Sequence, residues 1–155
     1  LKLDRVDFKL GDFFTFLEHD TSKYDVIFAS GVLYHMTKPV ELLKLISKVT
    51  DKLFIWTHYF DEEIISKRLD YTEKFAPIMV ETFEGLTYEY ATHSYNEWLG
   101  SENFCGGSQS ISRWLTRDSI IRALSQFGFI DMQIGFDEPA HPNGPSLAIC
   151  AQKNG

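Results

Sequence analysis

Histidine and tyrosine side chains that could do chemistry follow two apolar segments of the sequence. The segment YDVIFAS leads to Tyr34 and His35, and the segment KLFIWT leads to His58 and Tyr59. Short apolar runs predict strands, and the first run predicts a strand that is covered on both faces. In α/β sheets, ligands bind beyond the carboxyl ends of the strands. We therefore expect His58 and Tyr59 to face a bound molecule at the crevice that Tyr34 and His35 border.

The role of His35 is open between two interpretations. A histidine can take up a proton near neutral pH, so His35 is a candidate general base. A histidine at a strand-to-helix junction also commonly hydrogen-bonds a backbone carbonyl. Ser30 is not predicted to be a nucleophile, because the hydrolase turn needs GxSxG and the sequence reads FASGV. For His35, His58 and Asp61 we predict hydrogen bonding and no metal, since metal ligands must converge in space.

Arginine side chains stand out in the stretch GGSQSISRWLTR and the helix pattern after it. Arg113 offers a planar fork of donors that suits an anionic acceptor. The Gly-Gly-Ser start of this stretch, residues 106–108, could form a flexible lip. For Arg117 and Arg122 we predict the solvated side of the last helix.

An aromatic insertion interrupts the regular pattern at residues 70–115. We predict a hairpin that turns near Glu84 and Gly85, followed by an irregular loop. Linkers are polar and lack large side chains, so this segment is interpreted as a lid or substrate wall. Trp98 and Trp114 are predicted to be packing anchors, with a role as substrate platforms kept as the alternative.

The remaining patterns alternate between strands and helices. RVDFKL predicts a first strand, Pro39 begins a helix over residues 38–49, and DEEIISKRL predicts another helix start. Thr116 can cap a helix that stops at Gly128. FIDMQIGFDE and SLAICAQK predict two closing strands. The sequence therefore predicts an α/β protein.

Length and composition predict one domain with a sizeable core. The chain has 155 residues, of which 44% are hydrophobic, and a formal net charge of -7. This charge argues against a surface that follows nucleic-acid phosphates. Cys105 and Cys150 form no metal-binding CxxC pair, and no apolar run approaches the ~18 residues of a membrane span. We predict a cytoplasmic protein without membrane contact.

The order of these patterns resembles the class I S-adenosylmethionine (SAM)-dependent methyltransferases. GDFF, then YDVIFASGVLYHM with a helix that begins at proline, then DKLFIWTHYF and the two closing strands carry the resemblance. GVLYH looks most like the branch with tRNA wobble-uridine carboxymethyl-transferring enzymes and related small-molecule methyltransferases. The resemblance covers residues 6–153 and the C-terminal two-thirds of the family domain. It implies a partial doubly wound, Rossmann-like sheet, mostly parallel, with an antiparallel C-terminal strand pair.

The resemblance also implies a set of cofactor-binding residues. Asp12 matches the carboxylate that contacts the adenine amino group, and Phe13 beside it can pack on the ring. Asp12 could equally cap the short helix that follows, and one residue could do both. Ser30 and Gly31 match the place where the cofactor meets the strand, and Tyr34 is implied to line its methionine end.

The first βαβ unit of the family, with its glycine-rich loop, has no match in this sequence. No GxGxG motif follows a predicted strand. We therefore expect the chain alone to bind SAM weakly or not at all and to be inactive. A start at Leu1 favours a fragment of a longer enzyme over a natural protein that lost the unit. The unpaired sheet edges are expected to favour a homodimer.

Two functions follow from these expectations. The leading one is methyl transfer from SAM to a small-molecule or nucleoside-like acceptor, with tRNA kept open as a partner. The alternative is a non-catalytic, methyltransferase-like module for self-association or partner binding. A dehydrogenase is disfavoured, because the sequence has no dinucleotide glycine motif.

Overall fold

Two β-sheets organise the computed structural model, which describes residues 4–95 and 109–154. The helices are α1 (Phe13–His19), a 3₁₀ helix (Leu33–His35), α2 (Pro39–Val49), α3 (Glu62–Ile65), α4 (Leu69–Thr72) and α5 (Arg117–Gln126). The strands are β1 (Ile27–Ser30), β2 (Lys52–His58), β3 (Met79–Phe83), β4 (Leu86–Ser94), β5 (Ile111–Leu115), β6 (Phe129–Glu138) and β7 (Ser146–Lys153). The α/β prediction is confirmed.

The larger sheet has the strand order β1-β2-β7-β6. β1 and β2 are parallel, whereas β7 is antiparallel to both β2 and β6. β1, β2 and β6 therefore run in one direction and β7 runs in the other, which agrees with the predicted mostly parallel sheet with an antiparallel closing pair. The connection from β1 to β2 through α2 and the longer connection from β2 to β6 through β3, β4, β5 and α5 both join strands of the same direction. β7 follows β6 after a short loop, and such a connection makes the pair antiparallel.

Helices α2 and α5 cover one face of this sheet. Pro39 occupies the first turn of α2, as predicted, and Leu43 and Ile46 on its apolar face are fully buried. The Thr116 side chain caps α5 by accepting from the Ser119 N–H, also as predicted. These local signals place both helices, and the apolar stripes then pack on the strands.

The opposite face of β1 is open, which corrects the prediction of a strand covered on both faces. Ala29 points to the helices and is buried, but Val26 and Phe28 remain 55% and 70% exposed. The Phe28 ring stacks on Phe54 at 4.4 Å between centroids. The physical reason is that no described segment packs on this side, so alternate side chains of the strand stay in solvent.

The predicted first strand does not form. Residues 4–10 have no strand structure, and Phe8 and Leu10 are 82% and 107% exposed. A strand needs a neighbour for its backbone hydrogen bonds, and no described strand pairs with this segment. An alternating apolar pattern alone is therefore insufficient to predict a strand here.

The insertion folds as a second, antiparallel sheet of β3, β4 and β5. The hairpin turn at Glu84 and Gly85 is confirmed. β5 pairs with β4 where the sequence predicted an irregular loop. Trp114 is buried on β5, while Trp98, Cys105 and the 106–108 lip lie outside the described residues. The helix predicted from DEEIISKRL is short, since α3 ends at Ile65 and a separate turn, α4, follows.

The small sheet is joined to the larger one near the 3₁₀ helix. The Arg113 N–H donates to the Met36 carbonyl at 2.9 Å, and Phe60 and Thr116 form an isolated parallel bridge. The insertion is therefore fixed beside the carboxyl ends of β1 and β2. None of the described helices has the length and apolar character needed to cross a membrane.

Candidate functional site

A cavity of about 740 Å³ lies where α1 begins and where β1 ends. Ligand pockets commonly have volumes of about 300–1,000 Å³. Four residues that the sequence singled out line it together: Asp12, Phe13, Gly31 and His35. The parallel pairing of β1 with β2 positions this edge, because Gly31 follows the last residue of β1 and its N–H donates to the Trp56 carbonyl at 3.0 Å.

Asp12 has one of the two roles predicted for it, the capping of α1. Its Oδ1 accepts from the Thr15 N–H at 2.8 Å and so caps α1. The same exposed side chain borders the cavity, next to the partly buried Phe13. The capping interpretation is therefore confirmed, and the contact of Asp12 with an adenine stays a prediction.

Gly31 separates the cavity from a group of aromatic side chains. Its φ is +72°, a conformation that a residue with a side chain rarely adopts. A Cβ at this position would lie 3.8 Å from both the Trp56 ring and the Tyr34 hydroxyl. Tyr34 therefore sits immediately behind Gly31, whereas the exposed Ser30 is not among the residues that line the cavity.

His35 is held by a tyrosine from the insertion. Its Nδ1 lies 2.7 Å from the Tyr95 hydroxyl, and the Tyr34 ring packs at 4.1 Å. Burial, followed by the repulsion of a charged His58, lowers the pKa of His35 to about 4. The imidazole is therefore neutral at pH 7 and can accept a proton.

Six rings form what we call the ring cluster, at the carboxyl ends of β1 and β2. Trp114 stacks on His58 at 5.0 Å and on His93 at 5.4 Å between centroids. Gly144 presses against the same indole, since a Cβ there would lie 2.8 Å from the ring. The members of the ring cluster are Tyr34, Trp56, His58, His93, Trp114 and His141.

His58 belongs to this cluster as a buried, fixed side chain. Its Nδ1 donates to the carbonyls of Gly144 at 3.0 Å and Pro145 at 3.2 Å, which places the proton on Nδ1. Burial lowers the pKa of His58, so the ring is neutral. Tyr59 is 3% exposed and donates to Asp137 at 3.0 Å. Tyr59 therefore joins β2 to β6 and does not line the cavity.

Arg113 lies on the other face of the small sheet from Trp114, because neighbours on a strand point to opposite faces. Its guanidinium pairs with Glu81 at 2.8 Å and lies 4.4 Å from the Tyr90 ring centroid. Binding of an anionic acceptor by Arg113 stays a prediction, and the fork already holds a carboxylate. Arg117 pairs with Asp137 at 2.5 Å, and the exposed Arg122 donates to the Thr87 carbonyl.

Sequence reasoning missed His93, Tyr95 and His141 as neighbours of the site. His93 and Tyr95 come from the strand β4 and the residue after it, and His141 comes from the loop before β7. The only available signal was their residue type, since pairing over such distances along the chain is not local. Within residues 4–95 and 109–154, no group of three or more His, Cys, Asp or Glu side chains could hold a metal ion.

Comparison with known proteins relates this fold to a solved domain. No family model matches the chain, and no curated protein matches it. Two crystal structures of the N-terminal domain of EvdMO1, one with S-adenosylhomocysteine (SAH) bound and one in the presence of SAH and D-fucose, match with a TM-score of 0.61 and 20% identity. The matches cover 89% of this chain but 51% and 52% of the solved chains. The chain thus shares the fold over about half the length of the chains it matches.

The buried neutral histidines predict a loss of stability in mild acid. Burial, followed by smaller effects of Lys74, His35 and His58, lowers the pKa of His93 to about 4. Unfolding returns the pKa of His35, His58 and His93 to the ordinary value near 6.5. The unfolded chain therefore binds more protons than the folded chain below that pH. The free energy of unfolding is fully retained above about pH 6.5 and falls towards pH 4, by up to about 1.4 kcal/mol per pH unit for each histidine.

Chemical denaturation between pH 4.5 and 7.5 measures this slope. His93→Phe is expected to reduce the slope relative to the parent chain, because one titrating group is removed. Phe75, whose ring centroid lies 4.9 Å from that of His93, is the matched control, and Phe75→Leu should leave the slope unchanged because it removes no titrating group. Identical slopes for His93→Phe and the parent would contradict the buried neutral state of His93.

Proposed function

We propose that the chain contributes the acceptor side and part of the cofactor side of a SAM-dependent methyltransferase. The observation that carries this proposal is the cavity lined by Asp12, Phe13, Gly31 and His35 at the carboxyl edge of β1. The edge is where α/β sheets bind ligands. The fold shared with a domain that was crystallised with SAH supports the choice of cofactor.

Each cavity residue has a chemical role in this proposal. The Asp12 carboxylate accepts a hydrogen bond from the adenine amino group while it caps α1, and Phe13 packs on the adenine ring. Gly31 presents backbone without a side chain to the cofactor, in a left-handed conformation (φ +72°) that other residues rarely adopt. Tyr34 lies behind Gly31 and does not line the cavity itself, and its proposed place is beside the methionine end. Bound SAM supplies an activated methyl group, so the protein mainly has to align the acceptor with it.

His35 is proposed as the general base for an acceptor that loses a proton during methyl transfer. It lines the cavity, is neutral at pH 7, and is fixed by Tyr95. A base with a pKa of about 4 is weak, so the proton moves as the new bond forms and not beforehand. This assignment suits a hydroxyl or nitrogen acceptor whose proton is lost during methyl transfer.

A second candidate function is self-association through the edge strand β1. Its specific support is the apolar surface that β1 and the preceding segment expose, namely Val26 and Phe28 together with Phe8 and Leu10. Exposed edges and apolar patches favour pairing with another strand. The occupant we propose in this case is a second copy of the chain.

Binding of SAH tests the leading proposal. Titration of the ¹⁵N-labelled chain should shift the amide signals of Phe13, Gly31 and His35, with a weak dissociation constant on the order of 1 mM. Asp12→Ser keeps a good helix cap but removes the carboxylate, so it should weaken SAH binding about tenfold, as for a lost hydrogen bond to a charged group.

Asp61 is the matched control for this substitution. It caps α3 by accepting from the Ile64 N–H at 3.0 Å and does not line the cavity. Asp61→Ser should therefore leave SAH binding unchanged. Shifts that avoid the cavity residues, or equal effects of Asp12→Ser and Asp61→Ser, would refute the assignment of the cavity to SAH.

Turnover tests the role of His35. In a preparation that methylates an acceptor, His35→Ala should lower kcat about 10²–10⁴-fold, the contribution of a general base. The pH dependence between pH 6 and 8 should also change, because a different group or water must then take the proton. Unchanged turnover across this range would reduce His35 to a scaffold residue.

Sedimentation equilibrium tests the second candidate. If β1 pairs with a second copy, Phe28→Arg should abolish the dimer, because a charge would replace the exposed apolar ring. Ile130 is 55% exposed on the opposite edge strand β6, so Ile130→Arg is the control and should leave the dimer intact. A parent chain that stays monomeric at about 100 μM, the range of weak association, would contradict self-association.

A further inference from the structure

We propose that Tyr95 is a positioning residue for the methyl transfer, and that its hydroxyl selects Nε2 of His35 as the atom that takes up the acceptor's proton. The inference rests on the proposed function and extends it from a residue to one nitrogen and its tautomer. The observation that carries it is the contact between the His35 ring, which lines the cavity, and the phenol that follows β4.

The contact engages one of the two imidazole nitrogens. The Tyr95 hydroxyl lies 2.7 Å from Nδ1, a hydrogen-bond distance, and the two ring planes are inclined by only 23°. The Tyr34 ring packs on the same imidazole at 4.1 Å between centroids. His35 cannot turn Nδ1 towards the cavity without breaking this hydrogen bond, so Nε2 is the nitrogen that a bound molecule can use.

Tyr95 is placed by the small sheet. Its N–H donates to the Ser110 carbonyl at 3.0 Å, which continues the pairing of β4 with β5 by one residue beyond β4. Its ring meets His93 edge to face at 4.8 Å between centroids, and His93 stacks on the buried Trp114. Backbone pairing and aromatic packing thus fix the position of the phenol.

The backbone next to His35 is held by the same sheet. The Arg113 N–H of β5 donates to the Met36 carbonyl at 2.9 Å, and Met36 also lines the cavity. The Met36 N–H closes the 3₁₀ helix by donating to the Leu33 carbonyl at 3.1 Å. The His35 ring is therefore fixed through its backbone and through Nδ1, and it keeps the single orientation that a general base needs.

The tautomer follows from the assignment of His35 as a base. A neutral imidazole has one N–H and one nitrogen lone pair. A base at Nε2 needs the lone pair there, so Nδ1 carries the hydrogen and donates to the Tyr95 oxygen. The opposite arrangement, with the hydroxyl as donor, would leave the hydrogen on Nε2 and make His35 a donor towards the cavity. Acceptance by Tyr95 is therefore the arrangement that the base requires, as a buried aspartate orients the histidine of a catalytic triad.

The proton transfer balances with this arrangement. The O–H or N–H bond of the acceptor breaks as Nε2 takes the proton, and the electron pair left on the acceptor displaces the sulfide from the methyl carbon. His35 becomes an imidazolium that still donates from Nδ1 to Tyr95. It returns the proton to water after the product leaves.

The groups around His35 make this partner a matter of orientation and not of charge. The titratable groups are Tyr34 beside it, His58 from β2, and His93 and Tyr95 from the small sheet. A phenol orients the imidazole without adding a negative charge, whereas a carboxylate would also raise its pKa. Loss of the hydroxyl is therefore expected to change the rate more than substrate binding.

Imidazole ¹⁵N shifts of the ¹⁵N-histidine-labelled chain at pH 7.5 test the tautomer. The neutral His35 ring, assigned with His35→Ala, should carry its hydrogen on Nδ1. Tyr95→Phe removes the hydroxyl and keeps the ring, so His35 should become a mixture of both tautomers. Tyr71→Phe is the matched control, because Tyr71 packs on Phe75 and does not line the cavity, and it should leave the His35 shifts unchanged.

Turnover tests the positioning. In a preparation that methylates an acceptor, Tyr95→Phe should lower kcat about tenfold, the rate equivalent of one lost hydrogen bond, and change KM by about twofold at most. In the His35→Ala background, Tyr95→Phe should have no further effect, because Tyr95 acts through the imidazole. A purely structural role would lower the rate equally in both backgrounds.

Three results would overturn the proposal. They are a hydrogen on Nε2 in the parent chain, equal His35 shifts in Tyr95→Phe and the parent, and equal rate effects of Tyr95→Phe with and without His35. SAH binding is measured separately on the parent chain. SAH shifts at Gly31 with the His35 hydrogen on Nε2 would remove this inference and leave the cavity assigned to SAH. A Tyr95-dependent hydrogen on Nδ1 without SAH binding would remove the proposed function and keep Tyr95 as the group that orients His35.

Discussion

The parallel pairing of β1 with β2 is the constraint on which the site depends. It brings two carboxyl ends to one edge, so that Gly31 and His35 after one strand meet His58 at the end of the other. β7 runs the opposite way, and its amino end therefore delivers Gly144 to the same edge, where its carbonyl accepts from His58. One register thus assembles three stretches that are far apart in the sequence.

The small sheet completes this edge through contacts that are mainly aromatic. Trp114 lies within the ring cluster, and the imidazoles of His58 from the larger sheet and His93 from β4 stack on it. Gly144 fits against it because a side chain there would overlap the indole. Packing of this density lowers the pKa of His58 and His93, since charging either of them would place a cation among apolar rings and other imidazoles. The same burial that fixes the rings therefore sets the electrostatics of the site.

Local signals in the sequence were sufficient for the elements that they specify. Pro39 and the Thr116 cap begin their helices where predicted, because the interactions involve residues within one turn. Long-range features could not be read in this way. β5 forms because β4 provides backbone hydrogen-bond partners for it, whereas no described strand provides them for residues 4–10. Arg113 pairs with Glu81, which lies 32 residues away in the sequence.

The open side of β1 and the cavity beside Gly31 are not independent surfaces. An apolar groove of about 550 Å³ beside β1 is lined by Leu10 and Phe28, and it shares Asp12 and Phe13 with the cavity. Whatever packs against β1 therefore also borders the residues proposed to hold adenine. A molecule at either surface contacts Asp12 and Phe13 at the start of α1, so binding at one surface changes the binding free energy at the other. The proposed association at this edge and the proposed cofactor binding therefore involve one continuous surface, in which Asp12 and Phe13 are shared.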